Sequence, residues 1–171
     1  VRDSILRTPL MWAAFCGKLD TLEFFCQYTE NYSNEKDQYR GTPVGLAACG
    51  GHVEIVQRLL KKGFCADYRD YRGRSPLWYA AHGGHVEIMK LLDQNAFFST
   101  DGKDNNGITP LAEACRQGHV RVVQYLLKLN TFNLCGQPIS KRVNVRSRDD
   151  DGKTPIVHAV ESGSLDCVRA L

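Results

Sequence analysis

The chain has 171 residues, 43% hydrophobic and 24% charged, which suits one folded domain and lacks the polar bias of a disordered segment. Its formal net charge of +3 is too small to imply a nucleic-acid or anionic-membrane partner. No window approaches the roughly 18 apolar residues of a membrane span, and the first ten residues have no secretory h-region, so we expect a soluble chain without membrane insertion.

Five Thr-Pro or Ser-Pro dipeptides recur along the chain, and each predicts the start of a helix. A Thr or Ser hydroxyl can cap the first turn, and Pro at the first helical position loses no hydrogen bond. The spacings between successive dipeptides are 34, 33, 34 and 45 residues. The five dipeptides are Thr8-Pro9, Thr42-Pro43, Ser75-Pro76, Thr109-Pro110 and Thr154-Pro155.

Alanine and glycine recur at fixed distances after each cap. The alanine, five positions on, allows a neighbouring helix to approach closely, and the glycine, nine positions on, ends the short helix by taking a left-handed conformation. A second helix with an apolar stripe is predicted to follow, as in residues 51–63. The recurring residues are Ala13, Ala47, Ala80, Ala114 and Ala159, then Gly17, Gly51, Gly84, Gly118 and Gly163.

A turn, a short helix and a longer helix at a period near 33 residues resemble the ankyrin repeat family, with its motif D-x-x-G-x-T-P-L-H-x-A-A-x-x-G-H. An aspartate lies five positions before every cap, as the family motif has it: Asp3, Asp37, Asp70, Asp104 and Asp149. The resemblance implies an all-α solenoid in one domain, residues 1–171, with β-hairpin-like turns joining the helix pairs. We expect repeats one to five at about 3–36, 37–69, 70–103, 104–148 and 149–171.

The chain departs from the family pattern in three places. The histidine of the T-P-L-H motif is absent throughout, which we expect to lower stability without changing the fold. The connector of repeat four is longer, so residues 130–148 are predicted to form a protruding loop. Repeat five stops within its second helix and the chain begins with Val1, so we expect a segment of a longer array with further ankyrin repeats after it. The residues that replace the histidine are Met11, Gly45, Trp78, Ala112 and Val157.

The stretch AAHGGHVEIM, residues 80–89, raises the hypothesis of a zinc site. His82, His85 and Glu87 offer suitable donors, but the spacing of the histidines across two glycines differs from that of a helical HExxH site. His85 has counterparts in His52 and His119, and the resemblance implies a structural role for it. We therefore predict no metal, no cofactor and no enzyme activity, and keep a metal-dependent enzyme or sensor as the weaker alternative.

The remaining candidates lie where the family binds its partners. In ankyrin arrays, the ends of the first helices and the turn tips line a concave groove, and Tyr and Arg are enriched in interface hot spots. The resemblance thus implies a non-catalytic scaffold for a partner protein or peptide, acidic or extended in character. The predicted partner-binding residues are Phe15, Tyr39, Tyr71, Arg72, Arg74, His82, Asn105, Asn106, Arg116 and Gln117.

A methyl-lysine reader is the alternative function from this surface, because Trp12, Trp78 and Tyr79 supply aromatic rings. We expect Trp78 to fill the gap left by the family histidine instead. The seven cysteines include no CxxC pair, which favours free thiols in a reducing compartment, the cytoplasm or the nucleus.

Overall fold

The computed structural model describes residues 2–28, 35–94, 99–129 and 143–171. Most of the predicted loop, residues 130–142, lies outside these ranges. The described residues contain ten α-helices and no β-strand, which confirms the all-α prediction. The helices are α1 (Pro9–Phe15), α2 (Leu19–Tyr28), α3 (Pro43–Gly50), α4 (Val53–Lys61), α5 (Pro76–Gly83), α6 (Val86–Asp93), α7 (Pro110–Arg116), α8 (Val120–Lys128), α9 (Pro155–Glu161) and α10 (Leu165–Ala170).

Hydroxyl caps begin the first helix of four repeats, as the Thr-Pro and Ser-Pro pattern predicts, whereas α9 begins after Thr154 without a bond to the side-chain hydroxyl. The side-chain oxygens of Thr8, Thr42, Ser75 and Thr109 each accept a hydrogen bond from the backbone amide three residues on, at 3.2–3.3 Å. Each cap thereby satisfies an amide that has no partner inside the helix. The cap is buried in all four cases, so it also fixes where the helix meets the core.

The glycine after the first helix is required for two reasons in repeats one to three, as Gly84 shows. Its φ of 77° is in the left-handed region, where a residue with a Cβ is strained. A Cβ at Gly84 would also lie 2.9 Å from the ring of His119 in the next repeat. Gly17 and Gly51 face the rings of His52 and His85 in the same way. The glycine therefore ends one helix and leaves room for the histidine that joins two repeats.

The stack is packed more closely through its first helices than through its second helices. The first helices of neighbouring repeats, α1, α3, α5, α7 and α9, contact one another closely through buried alanines, whereas the second helices touch less. Small residues permit short distances between helix axes. The first helices therefore form the more tightly packed layer of the stack.

Backbone hydrogen bonds join the turn tips of successive repeats. The amide of Tyr71 donates to the carbonyl oxygen of Tyr39 at 3.0 Å, and the amide of Asn105 donates to that of Arg72 at 2.8 Å. Equivalent bonds link repeats one and two and repeats four and five. The tips are thus held at fixed positions along the array, as the predicted hairpin-like turns require.

We predict that Gly84→Ala destabilises the chain more than Gly163→Ala does. Both glycines have positive φ, 77° and 70°, so both variants suffer the backbone strain of about 1 kcal/mol. At Gly163 a Cβ would meet no atom within 4 Å, whereas at Gly84 it would meet His119. Urea unfolding of both variants measures the difference. Equal losses would show that the histidine contact does not constrain this position.

Candidate partner-binding groove

The aspartate at the head of each repeat holds the turn beneath the candidate site. Asp70 Oδ1 accepts from the amides of Arg72 and Arg74, both at 2.9 Å. Its Oδ2 accepts from Arg74 Nε at 2.8 Å and from the hydroxyl of Tyr79 at 2.7 Å. Burial raises the pKa of Asp70, but these hydrogen bonds and the guanidinium outweigh it and hold the pKa below its ordinary value. Asp70 therefore stays anionic and is fully engaged within its own repeat.

The residue four positions after the cap replaces the missing family histidine. Trp12 Nε1 donates to Asp3 at 2.8 Å, the Tyr79 hydroxyl donates to Asp70, and His158 Nε2 donates to Asp149 at 2.8 Å. In three repeats, the hydrogen bond that joins the first helix to the turn therefore comes from the residue that follows the position of the family histidine. These bonds could have been predicted from the sequence, because Trp, Tyr and His all carry an N–H or O–H donor at the end of a long side chain.

A groove of about 340 Å³ lies between the turns of repeats two and three, and we call it the tip groove. The rings of Tyr39 and Tyr71 lie together at its edge, with centroids 5.5 Å apart, and each residue is 43% exposed. Arg72 Nε donates to the Tyr71 hydroxyl at 2.6 Å. The residues that line the tip groove include Asp37, Tyr39, Arg40, Tyr68, Asp70, Tyr71, Arg72 and Arg74.

The tip groove has an excess of positive charge. Its two carboxylates are already bound, Asp37 by Arg7 at 3.2 Å and Asp70 by Arg74 at 2.7 Å. Arg40 and Arg72 instead donate to tyrosine hydroxyls, which carry no charge to neutralise them. Two guanidinium groups thus remain available to an anionic group at this edge.

The other predicted arginine cluster is engaged inside the chain. Glu113 is fully buried and accepts from His82 Nδ1 at 2.6 Å, from Arg116 Nε at 2.8 Å and from Gln117 Nε2 at 2.9 Å. Burial raises the pKa of Glu113, but these three hydrogen bonds outweigh it and lower the pKa overall. The His82 ring also stacks on Trp78, with centroids 5.4 Å apart. No local pattern of the sequence marks Glu113 as a member of this cluster.

The remaining predicted residues lie on either side of the tip groove. Phe15 is at the end of α1, packs edge-on against Trp12 and is partly exposed. Asn105 is exposed on the tip of repeat four and donates its side-chain amide to the Tyr71 carbonyl at 3.0 Å. Asn106 is exposed beside it. The structure brings Tyr39, Tyr71 and Arg72 together, whereas Arg74 serves chiefly to hold Asp70.

The histidines of the proposed zinc site face different partners. His82 is bound to Glu113, whereas the ring of His85 bonds the backbone of Cys49. Burial lowers the pKa of His85 although that bond opposes it. His119 Nε2 donates to the carbonyl oxygen of His82 at 2.9 Å, an equivalent joint one repeat further on. Within the described residues, no three His, Cys, Asp or Glu side chains come together as a metal site.

The aromatic rings of the methyl-lysine alternative already face cations of the chain. Trp78 is buried, and the guanidinium of Arg74 lies 5.4 Å from its ring centroid and 4.9 Å from that of Tyr79. Arg7 lies 5.2 Å from the ring of Trp12. The cation-π surface of these rings is therefore used within the chain.

The ten stacked helices of the described ranges, with a groove at their turn tips, define a helical repeat protein, and comparison identifies the repeat. The family model for ankyrin repeats (3 copies) matches residues 10–100 and 93–171, so the chain belongs to the ankyrin-repeat family. Proteins of this family are generally protein-protein interaction modules and generally not enzymes. No helix among the described residues is long and apolar enough to span a membrane.

Two curated proteins resemble part of the chain. Inversin of Danio rerio is 37% identical over 65 residues, which is 37% of this chain. The human transient receptor potential cation channel subfamily A member 1 is 38% identical over 69 residues, which is 38% of this chain. In each case the match covers 6% of the relative's length. The similarity therefore concerns only a short part of each relative.

We predict that Glu113→Gln lowers the free energy of unfolding at pH 7 by about 1–3 kcal/mol, because it removes a buried charge bound by Arg116 and His82. The stabilisation from a lowered pKa is complete above 4.5, the ordinary glutamate value, and is lost as the pH falls through the folded-state value. The gap between the two proteins should therefore close in acid, as urea unfolding at several pH values would show.

The matched control for this prediction is Glu87→Gln. Glu87 is exposed and pairs with Lys90 at the surface at 2.7 Å, so its removal should change stability by about 0.5 kcal/mol or less. A Glu113→Gln variant that behaves like this control, or a gap that widens in acid, would contradict the role assigned to the buried carboxylate.

Proposed function

We propose that the chain is a non-catalytic scaffold that binds a partner protein or peptide through the tip groove. The observation that carries this proposal is the exposed pair Tyr39 and Tyr71 beside Arg40 and Arg72, two cations that no carboxylate of the groove neutralises. Tyrosine and arginine bury a large area while keeping a directional polar end, which is why they dominate interface energetics. The backbone bonds between tips support it further, because a rigid surface loses little entropy on binding.

The partner is expected to be acidic where it meets the groove. A carboxylate placed between Arg40 and Arg72 could accept hydrogen bonds from both guanidinium groups, and the tyrosine rings beside it offer apolar surface for an extended segment. In the part of the chain that the structure describes, four free cysteines are of intermediate or full exposure, which fits a reducing compartment, the cytoplasm or the nucleus.

We propose that further ankyrin repeats stack on the end face of repeat five, which would then be a second interface of the scaffold. Val157 and Val160 are 39% and 62% exposed on α9. Their counterparts in repeat four, Ala112 and Cys115, are buried where α9 packs against α7. Gly163 has open space where the equivalent Gly84 meets a histidine of the next repeat. A helix pair of the same kind would fill each of these positions.

We predict that Tyr71→Ala and Arg72→Ala each weaken partner binding about tenfold or more, the effect of losing a hot-spot side chain. The probe is the peptide most enriched by display of a random peptide library on the purified chain. Its affinity for each variant is measured by fluorescence anisotropy. We expect the enriched peptides to carry several Asp or Glu residues.

Arg121→Ala is the matched control, because Arg121 is an exposed arginine on α8, away from the tip groove. Its affinity for the peptide should equal that of the parent chain. Arg74 and Arg116 are unsuitable test positions, since each holds a buried carboxylate of the fold. Unchanged binding by both Tyr71→Ala and Arg72→Ala, with folding intact, would refute the assignment of the partner to the tip groove.

A further inference from the structure

Two cations converge on the hydroxyl of Tyr68, a tyrosine that lines the tip groove. Lys36 Nζ and Arg40 NH2 both donate to Tyr68 Oη, the latter at 2.8 Å. The Lys36 ammonium also lies 3.8 Å from the centroid of the tyrosine ring, and the Arg40 guanidinium carbon 5.7 Å from it. A neutral phenol oxygen thus accepts hydrogen bonds from two positively charged side chains.

In the described part of the chain, neither cation of this pair is held by a carboxylate in an ion pair. No ion pair found among the described residues joins Lys36 or Arg40 to a carboxylate. The two hydrogen bonds lower the pKa of the Tyr68 hydroxyl, as expected where cations favour negative charge on the oxygen. The surroundings of Tyr68 Oη therefore favour an anion more than the neutral phenol that is there.

Arg40 holds its place at a cost to the backbone. Its φ is 60°, in the left-handed region, where repeats three, four and five have Gly73, Gly107 and Gly152. A non-glycine residue there is strained, and such strain is often found where a side chain serves a function. The guanidinium of Arg40, at this strained position, donates its hydrogen bond to Tyr68 Oη.

We propose that Tyr68 is a phosphorylation site whose phosphate is received by Lys36 and Arg40. A phosphate ester on Tyr68 Oη adds close to two negative charges and three acceptor oxygens at the position where the two donors already converge. Charge-assisted hydrogen bonds from an ammonium and a guanidinium to phosphate are stronger than those that the neutral phenol accepts. Tyr68 is partly exposed, in the connector between α4 and α5, where a modifying enzyme can approach it.

The reaction needs a protein tyrosine kinase and Mg-ATP as co-reactants. Tyr68 Oη attacks the γ-phosphorus of ATP, and a new P–O bond forms as the bond to the β-phosphate oxygen breaks. The phenolic proton passes to the kinase base, and ADP leaves. No electrons are transferred, and the reversal requires a phosphatase and water.

The modification would control the tip groove, and this consequence rests on the function proposed above. In the unmodified chain Arg40 is available to an acidic partner. In the phosphorylated chain Arg40 is bound by the phosphate, and the added negative charge lies in the same groove as Arg72. Phosphorylation of Tyr68 should therefore weaken binding of the acidic peptide selected on the unmodified chain.

The direct test is a ³¹P NMR titration of the chain carrying phosphotyrosine at position 68, introduced during translation. The second pKa of a free phosphotyrosine is about 6. Two cations within hydrogen-bonding distance should lower it by about 1 unit or more. The control is the same phosphorylated chain with Lys36→Gln and Arg40→Gly, where the glycine suits the positive φ, so we expect the fold to be retained. A second pKa that is the same in both chains would overturn the proposal.

Two further measurements complete the test. The unmodified chain is incubated with Mg-ATP and a tyrosine kinase domain of broad specificity, and the modified positions are mapped by mass spectrometry. Phosphate on Tyr68 at a rate comparable to that on the exposed Tyr71 supports the proposal, and phosphate on Tyr71 alone overturns it. Peptide binding is then measured separately. A lowered phosphate pKa with unchanged peptide affinity would refute the regulatory consequence, whereas the titration itself requires no partner and is independent of the proposed function.

Discussion

The tip groove depends on the aspartate side chain at the head of each repeat. One carboxylate oxygen accepts backbone amides two and four residues further on, as Asp37 does from Tyr39 and Gly41 at 2.9 and 2.7 Å. The other oxygen reaches a side chain, Arg7 for Asp37 and Tyr79 for Asp70. A single buried residue therefore fixes the turn and ties it to a helix. Without it, the residues on the tip would have no defined position.

This use of the aspartates also determines the charge of the groove. The carboxylates of Asp37 and Asp70 are already paired with arginines of the fold. Among the described residues, Arg40 and Arg72 have no such partner in the groove, and they give it its positive charge. The same logic holds in repeats three and four, where buried Glu113 engages His82 and Arg116. An arginine that binds a buried carboxylate thus stabilises the fold, whereas an arginine without such a partner remains available to bind another molecule.

Local patterns predicted the fold because each depends on residues close in the chain. A cap, a proline and a left-handed glycine specify a helix pair wherever they recur, and the alanines of the first helices specify close stacking. The placement of Tyr39 and Tyr71 on neighbouring tips followed from their position within the repeat. The Glu113 cluster could not be predicted in this way, because His82 reaches it from 31 residues away with a side chain that could equally face solvent. The contact between Tyr68 and Arg40, which are 28 residues apart, could not be predicted for the same reason.

The central claim is that a partner meets the chain at the turn tips of repeats two and three. It is tested most directly by mapping backbone amide chemical shifts of the isotope-labelled chain while the selected acidic peptide is added. We expect the largest changes at Tyr39, Arg40, Tyr71 and Arg72, with little change along the outer helices α4 and α6. Saturable changes confined to the outer helices, with the tips unaffected, would contradict it.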